Sequence, residues 1–396
     1  MAPISGAAGF LGQSAVDGIT GYTSMRNAQG GVNGRKYQLV IGDSQFDQAV
    51  EAAVTKRLVE KEKVFILMSV AGDSIAPYVT SVGIPAIVIG VTPPTYSSKY
   101  PTVYPLVQQV VDFVAAMAYQ LHDVMKLPVK TTAILYGNQN FAWAKWAKYA
   151  KKAWEYFGVD VKSMDQFDIS NGDCTSIVLK MKNLNIDFWQ VAQSVGWPLC
   201  QQAMARQHYT PPLGRGGPFT GTYNYVSQAG LAMDGVYSQT YGVEVRRDMC
   251  EPYFYEPGVT KAPECQNYLN SMKQYATDAS IDSLEDVWAQ LYWTGGKLID
   301  DAVRHMTGAF TWAGINQWIG HQTHWLSGLA APINFTPTCK TGGRYWMYQW
   351  KNENGHLVHA PWRDFGGEIK IPTALKNYVF PGAGDCYVTA MADAEL

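Results

Sequence analysis

The fold turns on one stretch, Asn27-Ala28-Gln29-Gly30-Gly31-Val32-Asn33-Gly34-Arg35-Lys36-Tyr37-Gln38-Leu39-Val40. Three glycines precede a basic pair and then an apolar run. Glycines beside a Lys suggest a phosphate cradle. Such a loop needs a strand, then the glycines, then a helix whose N-terminal amides meet the anion. Here the order is reversed. Residues 14–29 read as a helix, and the glycines lead into a strand at 37–42 (YQLVIG). Neither G-x-x-x-x-G-K-[ST] nor G-x-G-x-x-G occurs. The stretch therefore reads as a turn from a surface helix into a buried strand, with Arg35 and Lys36 solvated.

Outward from that turn, helix and strand alternate. Residues 47–61 carry Val50, Ala53, Val54 and Leu58 at helical spacing, with an acidic start and a basic end. Strands are predicted at 64–68 (VFILM) and 86–89 (AIVI), with a short helix over 74–82 between them. The pattern restarts near residue 105: helices over 107–125, 142–157, 175–184 and 198–207 alternate with strands at 132–136, 159–164 and 187–192. Near-continuous apolar strands between helices imply parallel sheets covered on both faces. Helices are also predicted over 266–275 and 283–306, and a late hairpin at 343–350 and 355–360.

The whole chain bounds the function. Its 396 residues suit two domains, and 47% apolar content supports a large core. A net charge of −2 is no footprint for nucleic acid or an anionic membrane. No apolar run has the length of a membrane span. The opening, Met1-Ala2-Pro3-Ile4-Ser5-Gly6, reads as the middle of a fold, so a leader is expected to be absent from this chain. The six cysteines (Cys174, Cys200, Cys250, Cys265, Cys339, Cys386) form no C-x-x-C pair. Three disulfides in an exported protein are favoured over six buried thiols in a cytosolic one. Connectivity does not follow from sequence; pairing nearest neighbours gives 174–200, 250–265 and 339–386.

Catalytic chemistry has little support. His321 and His324, and His356 and His359, are close pairs without a Cys or acid at ligand spacing, so no metal site is expected. G-x-S-x-G is absent; Gly12-Gln13-Ser14-Ala15-Val16 matches only half of it. Asn334-Phe335-Thr336 is a sequon that matters only in a glycosylating host. What remains are the carboxyl ends of the strands, where open parallel sheets bind ligands. Ser69-Val70-Ala71-Gly72 follows one strand and Val91-Thr92 another. Their hydroxyls and free amides suit an anion such as a carboxylate.

The stretch 27–40 resembles the corresponding segment of type I periplasmic solute-binding proteins, the Leu/Ile/Val-binding proteins of ABC importers. Further matches follow in order: Leu58-Val59, Val64, Gly83-Ile84-Pro85, Tyr136-Gly137, Asn185-Ile186-Asp187, Asp234-Gly235-Val236-Tyr237 and residues 328–337 (GLAAPINFTP). The resemblance covers almost the whole chain. It implies an α/β fold of two doubly wound domains with parallel sheets, joined by three crossings around a cleft. The first lobe is expected to comprise 1–104 plus 242–331, and the second 105–241 plus 332–396. A strand usually stands ahead of Pro3 in that family, and this chain has almost none.

By position, the resemblance places carboxylate-gripping loops at Ser69, Val70, Ala71 and Gly72 and at Val91 and Thr92. It places an ammonium acceptor at Asp234. Polar or aromatic cleft residues fall at Gln190, Gln193, Tyr104, Phe141 and Trp288. The segment 189–194 (WQVAQS) departs from the family's glycine/tyrosine pattern, and 72–74 lacks its hydroxyl-rich cluster. The implied function is capture of a small hydrophobic or aromatic amino acid or carboxylate by cleft closure, with no cofactor and no catalysis. The implied partners are a small-molecule ligand and an ABC importer permease, for a monomer outside the cytoplasm. The alternative is a ligand-sensing domain working with a membrane signalling partner.

Overall fold

A computed structural model describes residues 1–381, except 7, 91–97, 108–109, 139–140, 219–222, 241–243, 247–248, 252–263, 277–285, 307–308, 330–331, 338, 342–345, 361–364 and 366–368. Two parallel sheets organise the described chain. The first follows helices α1 (Gly9–Ala28) and α2 (Gln48–Glu60) and contains β1 (Leu67–Ala71), β2 (Ala86–Gly90) and β3 (Val103–Pro105), in the order β1-β2-β3. Helix α3 (Ala76–Val82) connects its first two strands. The 47–61 reading fits α2. The Asp47 side chain caps it, accepting from Ala49 N at 2.8 Å and Val50 N at 2.9 Å.

The second sheet is larger. Helix α4 (Val110–Ala118) runs into a π-helical turn (Tyr119–Val124) and then into β4 (Thr131–Gly137). There follow α5 (Phe141–Tyr156), β5 (Asp160–Phe167), α6 (Thr175–Leu184), β6 (Phe188–Gln193), α7 (Trp197–Arg206), β7 (Arg215–Pro218), α8 (Tyr223–Ala229) and β8 (Val236–Thr240). These five strands pair in parallel in the order β8-β7-β6-β4-β5. After the short hairpin β9 (Glu244–Arg246)/β10 (Met249–Glu251) come helices α9 (Cys265–Tyr275), α10 (Val287–Arg304) and α11 (Trp312–Gly320). A second short hairpin, β11 (Asn334–Thr336)/β12 (Cys339–Thr341), follows. The predicted late hairpin, β13 (Trp346–Glu353) and β14 (His356–His359), then joins β8 antiparallel and completes seven strands. Helix α12 (Thr373–Val379) closes the described chain.

The opening stretch is a turn, as its order implied. Gly30, Gly31, Asn33 and Gly34 all have positive φ, and Val32 bridges Arg35. A Cβ on Gly31 would stand 1.9 Å from Arg35 O, so only glycine fits. Asn27 reaches across the turn and clamps Tyr37, accepting from its N–H at 2.7 Å and donating to its C=O at 2.8 Å. Arg26 Nε and Tyr37 Oη both donate to the buried Asp300 of α10, at 3.1 and 3.0 Å. The motif therefore fastens α1 to α10. At Gly18 the two helices touch: an added Cβ would lie 2.1 Å from Ala289 O. One expectation fails in detail. Among the described residues, 37–42 pair in no strand, and Gln38, Leu39 and Ile41 are exposed rather than buried.

The core is rich in rings, with Trp154, Trp189, Trp197, Trp293, Trp346 and Trp350 fully buried. Cys174 and Cys200 are disulfide-bonded, joining the start of α6 to α7. Cys265 is disulfide-bonded as well. The side chains of Cys250 and Cys339, and all of Cys386, lie outside the described residues. Helix α12 is held to α4 by a buried ion pair, Lys376 Nζ to Asp112 Oδ1 at 3.0 Å. Burial pushes the Asp112 carboxyl above its usual range, although Lys376 opposes the shift.

Removing one partner of a buried pair strands a charge, which costs about 3–5 kcal/mol, whereas replacing both with apolar groups is near neutral. Lys376→Met is expected to lower unfolding free energy by that amount in urea titrations. The double variant Asp112→Leu/Lys376→Met should recover most of the loss. Equal losses in single and double variants would show that the pair is not what holds α12.

Candidate ligand-binding cleft

In both sheets, chain segments that leave a strand's carboxyl end turn into helices. Helix α3 follows β1, α5 follows β4, α7 follows β6 and α8 follows β7. In α7 the first turn uses its own amides, Trp197 N donating to Ser194 O and Leu199 N to Gly196 O, with Pro198 between them. Three side-chain contacts show that the carboxyl ends of the two sheets face one another. Phe46, after the extended segment 37–42, packs on Trp143 in the first turn of α5 with ring centroids 5.3 Å apart. Phe10, in the first turn of α1, packs on Tyr225 of α8 at 5.9 Å. Asn224 Nδ2 donates to Ser14 Oγ at 3.0 Å. Burial raises the pKa of Tyr149 on α5, and the charge of Asp73 after β1 adds to the shift, so these groups also stand close.

Gln193 closes β6 at this junction. A register shift between Leu135 and Tyr136 brings Gln193 opposite Tyr136; such irregularities re-aim side chains beside binding sites. Gln193 is buried, and its Oε1 has no hydrogen-bond partner among the described residues. Ser194 next to it is held in place, its carbonyl accepting from Tyr225 Oη at 3.1 Å. An unpaired buried carbonyl costs about 1–3 kcal/mol, which a ligand donor would recover.

The expected site residues divide. Ser69, Val70, Ala71 and Gly72 do lie at the carboxyl end of β1, but Ser69 is turned inward: its hydroxyl donates to the buried Glu51. Ser74 donates to the other Glu51 oxygen, and burial pushes that carboxyl above its usual range. Val91 and Thr92 fall outside the described residues. Phe141 begins α5 at the carboxyl end of β4. Trp288 is in the first turn of α10, whose cap is Asp286. Burial raises the Tyr225 pKa, and the nearby Asp286 charge adds to it, which puts this helix end at the junction.

Three residues stand elsewhere. Gln190 is in the core at mid-strand, where its Oε1 accepts from Trp154 Nε1 at 2.5 Å and its Nε2 donates to Val114 O at 3.0 Å. Asp234 precedes β8, at the amino end of the sheet, and its Oδ1 accepts from Asn352 N at 2.9 Å. Both are explained by local structure: a buried amide must be paired, and a turn before a strand must be capped. Tyr104 lies within β3, buried against the β11–β12 hairpin and α11, and donates to Asn316 Oδ1 at 2.9 Å. Phe10, Phe46, Trp143 and Tyr225 were not singled out from sequence. Their shared signal is position: Phe10, Trp143 and Tyr225 stand in the first turn of a helix, and Phe46 just before one.

Among the described residues no group of His, Cys, Asp and Glu could hold a metal ion, and no helix is long and apolar enough to cross a membrane. His321 and His305 are instead engaged at helix ends, each ring beside the carbonyl four residues earlier.

Comparison with known proteins agrees with this geometry. A profile of the periplasmic binding protein family matches residues 1–356, so the chain belongs to that family. Among solved structures, a branched-chain amino acid ABC transporter protein from Thermus thermophilus with bound valine superposes with a TM-score of 0.79. It is 15% identical, over 96% of this chain and 97% of that one. A solute-binding protein from R. palustris in complex with benzoate gives 0.72 at 17% identity, over 93% and 94%. The LivJ protein of Streptococcus pneumoniae in complex with isoleucine gives 0.70 at 16%, over 90% and 97%. At these identities the likeness establishes the fold, a type I periplasmic binding fold. No curated protein sequence matches the chain.

The return segment carries a buried cation. Lys340 of β12 donates to Tyr100 O at 2.6 Å and Val103 O at 2.9 Å, with its Nζ 5.6 Å from the Tyr104 ring centroid. Burial pulls its pKa down to about 8 from an ordinary 10.5. Between those values the unfolded chain holds the proton and the folded chain does not, so stability rises with pH through that window. The parent protein is expected to gain stability relative to Lys340→Met between pH 8 and 10.5 in urea titrations. Parallel profiles would mean that Lys340 keeps an ordinary pKa.

Proposed function

We propose that this protein is the extracytoplasmic solute-binding component of an ABC importer, which captures a small hydrophobic or aromatic carboxylate, with or without an α-amino group, by closing two lobes. The observation that carries the proposal is the facing of the two sheets' carboxyl ends, with rings and one unpaired amide carbonyl between them. The start of α5, at the carboxyl end of β4, is the proposed source of donors for a carboxylate. Phe46, Trp143, Phe10 and Tyr225 supply an apolar, flat lining. Gln193 Oε1 supplies an acceptor for an ammonium or hydroxyl group. The relatives of this fold named above carry valine, isoleucine and benzoate, all small acids with an apolar body.

In this reading the first lobe comprises residues 1–104 and 242–331, and the second 105–241 and 332–396, with the β11–β12 hairpin packed back on β3. Ser69 to Gly72 and Val91-Thr92 remain the proposed first-lobe loops, acting through their amides, with Phe141 and Trp288 beside them. Gln190 and Asp234 are left out, because their polar atoms serve the core and a turn. The permease is the expected partner, and the Cys174–Cys200 disulfide suits an oxidising compartment. In this reading binding and release need no catalytic group.

A ligand that binds only the folded state stabilises it by about 2.7 kcal/mol at one hundred times its dissociation constant. Thermal unfolding in the presence of valine, isoleucine, benzoate and 4-hydroxybenzoate is therefore expected to show at least one clear upward shift. Gln193→Leu should weaken that ligand about tenfold by calorimetry, the cost of about one lost hydrogen bond, without destabilising the free protein. No shift with any of these acids would defeat the ligand class. An unchanged dissociation constant would remove Gln193 from the site.

A further inference from the structure

Helix α2 turns one side to the core, where Glu51, Thr55, Leu58 and Val59 are buried. That spacing is the stripe a surface helix ordinarily gives to apolar residues. Leu58 and Val59 follow the rule, packing in one cluster with Leu67 of β1 and with Ile75, Ala76 and Val79 at α3. Glu51 breaks it. An apolar side chain needs no partner there, whereas a buried carboxyl must find donors. Glu51 finds two, and both come from one short segment. Ser69 Oγ donates to its Oε1 and Ser74 Oγ to its Oε2.

Those serines bracket the connection between β1 and α3. Ser69 lies in β1, opposite Val88 of β2, and Ser74 stands just ahead of Ile75, the cap position of α3. A hydroxyl ahead of a helix ordinarily caps its first amides. Helix α3 has no side-chain cap, and Ser74 turns to Glu51 instead. The two oxygens of one carboxyl thus draw both ends of residues 70–73 to one point. Ala76 N donates to Gly72 O at 2.9 Å and closes the segment onto α3. Asp73, within it, acts on Tyr149 of α5, so the segment stands where the first sheet's layer meets the second's.

We infer, resting on the cleft proposed above, that Glu51 is a positioning residue for ligand capture: by holding Ser69 and Ser74 on one carboxyl, it fixes the course of residues 70–73 and so the geometry with which that loop meets the ligand's carboxylate. Glu51 itself touches no ligand. The two serines act through it, their hydroxyls turned inward rather than toward the anion. A loop held in place before the ligand arrives spares binding the entropy of ordering it. The hold depends on hydrogen bonding at this length of side chain. Gln can supply it, because a serine hydroxyl both donates and accepts, so the amide oxygen and the amide NH₂ can each engage one serine. Leu fills the same space and supplies none.

The test compares the parent protein with Glu51→Gln, Glu51→Leu, Ser74→Ala and the double variant Glu51→Leu/Ser74→Ala. Amide hydrogen exchange at Ala76 in the ligand-free protein reads the loop, with Ile134 and Leu135 of β4 as internal reference. Calorimetry reads capture, using whichever of valine, isoleucine, benzoate and 4-hydroxybenzoate raises the parent's unfolding temperature most. Glu51→Leu is expected to speed exchange at Ala76 and weaken the acid, each about tenfold, while Glu51→Gln stays within about threefold of the parent in both. Ser74→Ala should move both readouts in the direction of Glu51→Leu, and the double variant should match Glu51→Leu, because Ser74 acts through Glu51. Affinity in Glu51→Leu equal to the parent's overturns the inference, even where exchange at Ala76 rises. So does a Gln variant as weak as the Leu variant, or a double variant in which the two single losses multiply. If Glu51→Leu also loses protection at Ile134 and Leu135, Ser74→Ala decides: weaker binding with faster Ala76 exchange supports the inference, and parental binding overturns it. A parent that responds to none of the acids fails the ligand reading instead; exchange at Ala76 then decides the hold on the loop, a rise in Glu51→Leu supporting it and no change overturning it.

Discussion

Parallel pairing is the constraint on which the rest of the molecule depends. A parallel strand cannot be reached by a tight turn, so each pair needs a crossover; between β1 and β2, and from β4 through β8, each crossover carries a helix. Every strand from β4 to β8 therefore ends at the same edge of its sheet, and every helix that follows begins there. β1 and the helix α3 that follows it repeat the arrangement in the other sheet. Two such sheets, turned edge to edge, bring loops and helix starts together without any residue being chosen for chemistry. The cleft is a consequence of connectivity, and its lining is whatever side chains fall at the helix starts and loops there.

The glycine turn at 27–40 shows how a diagnostic stretch can be wholly structural. Its residues fasten α1 to α10 through Asn27, Tyr37, Arg26 and Asp300. That seam matters because α1 starts at the cleft, with Phe10 and Ser14 against the second sheet's helix α8. A short, positive-φ turn that returns the chain at one exact place fixes where the extended segment 37–42 lies, and hence where Phe46 meets Trp143.

The alternation of apolar strands and helices was legible because strands covered on both faces read as continuous runs. Helix α6 and the restart of the pattern near residue 105 follow from periodicity alone. Strand status at 37–42 did not follow, because a strand exists only through its neighbours, and among the described residues this segment pairs in no strand. The site was less legible. Gln190 and Gln193 sit three residues apart in one strand, yet one bonds Trp154 in the core and the other ends at the cleft. Sequence carries no mark of that difference, which arises from a register shift. Asp234 looked like an ammonium acceptor, but which end of β8 it occupies depends on strand direction, a property of the whole sheet. Ser69 looked like an anion ligand, but Glu51, eighteen residues away, captures its hydroxyl.

The central claim is that the two lobes close over a ligand held between the sheets' carboxyl ends. The most direct measurement is the distance distribution between spin labels at two exposed positions, Lys61 beyond α2 and Lys182 on α6, by pulsed dipolar spectroscopy. With a saturating acid from the thermal screen, a shorter and narrower distribution than in the free protein is predicted, reverting on dialysis. Identical distributions with and without bound ligand would contradict closure.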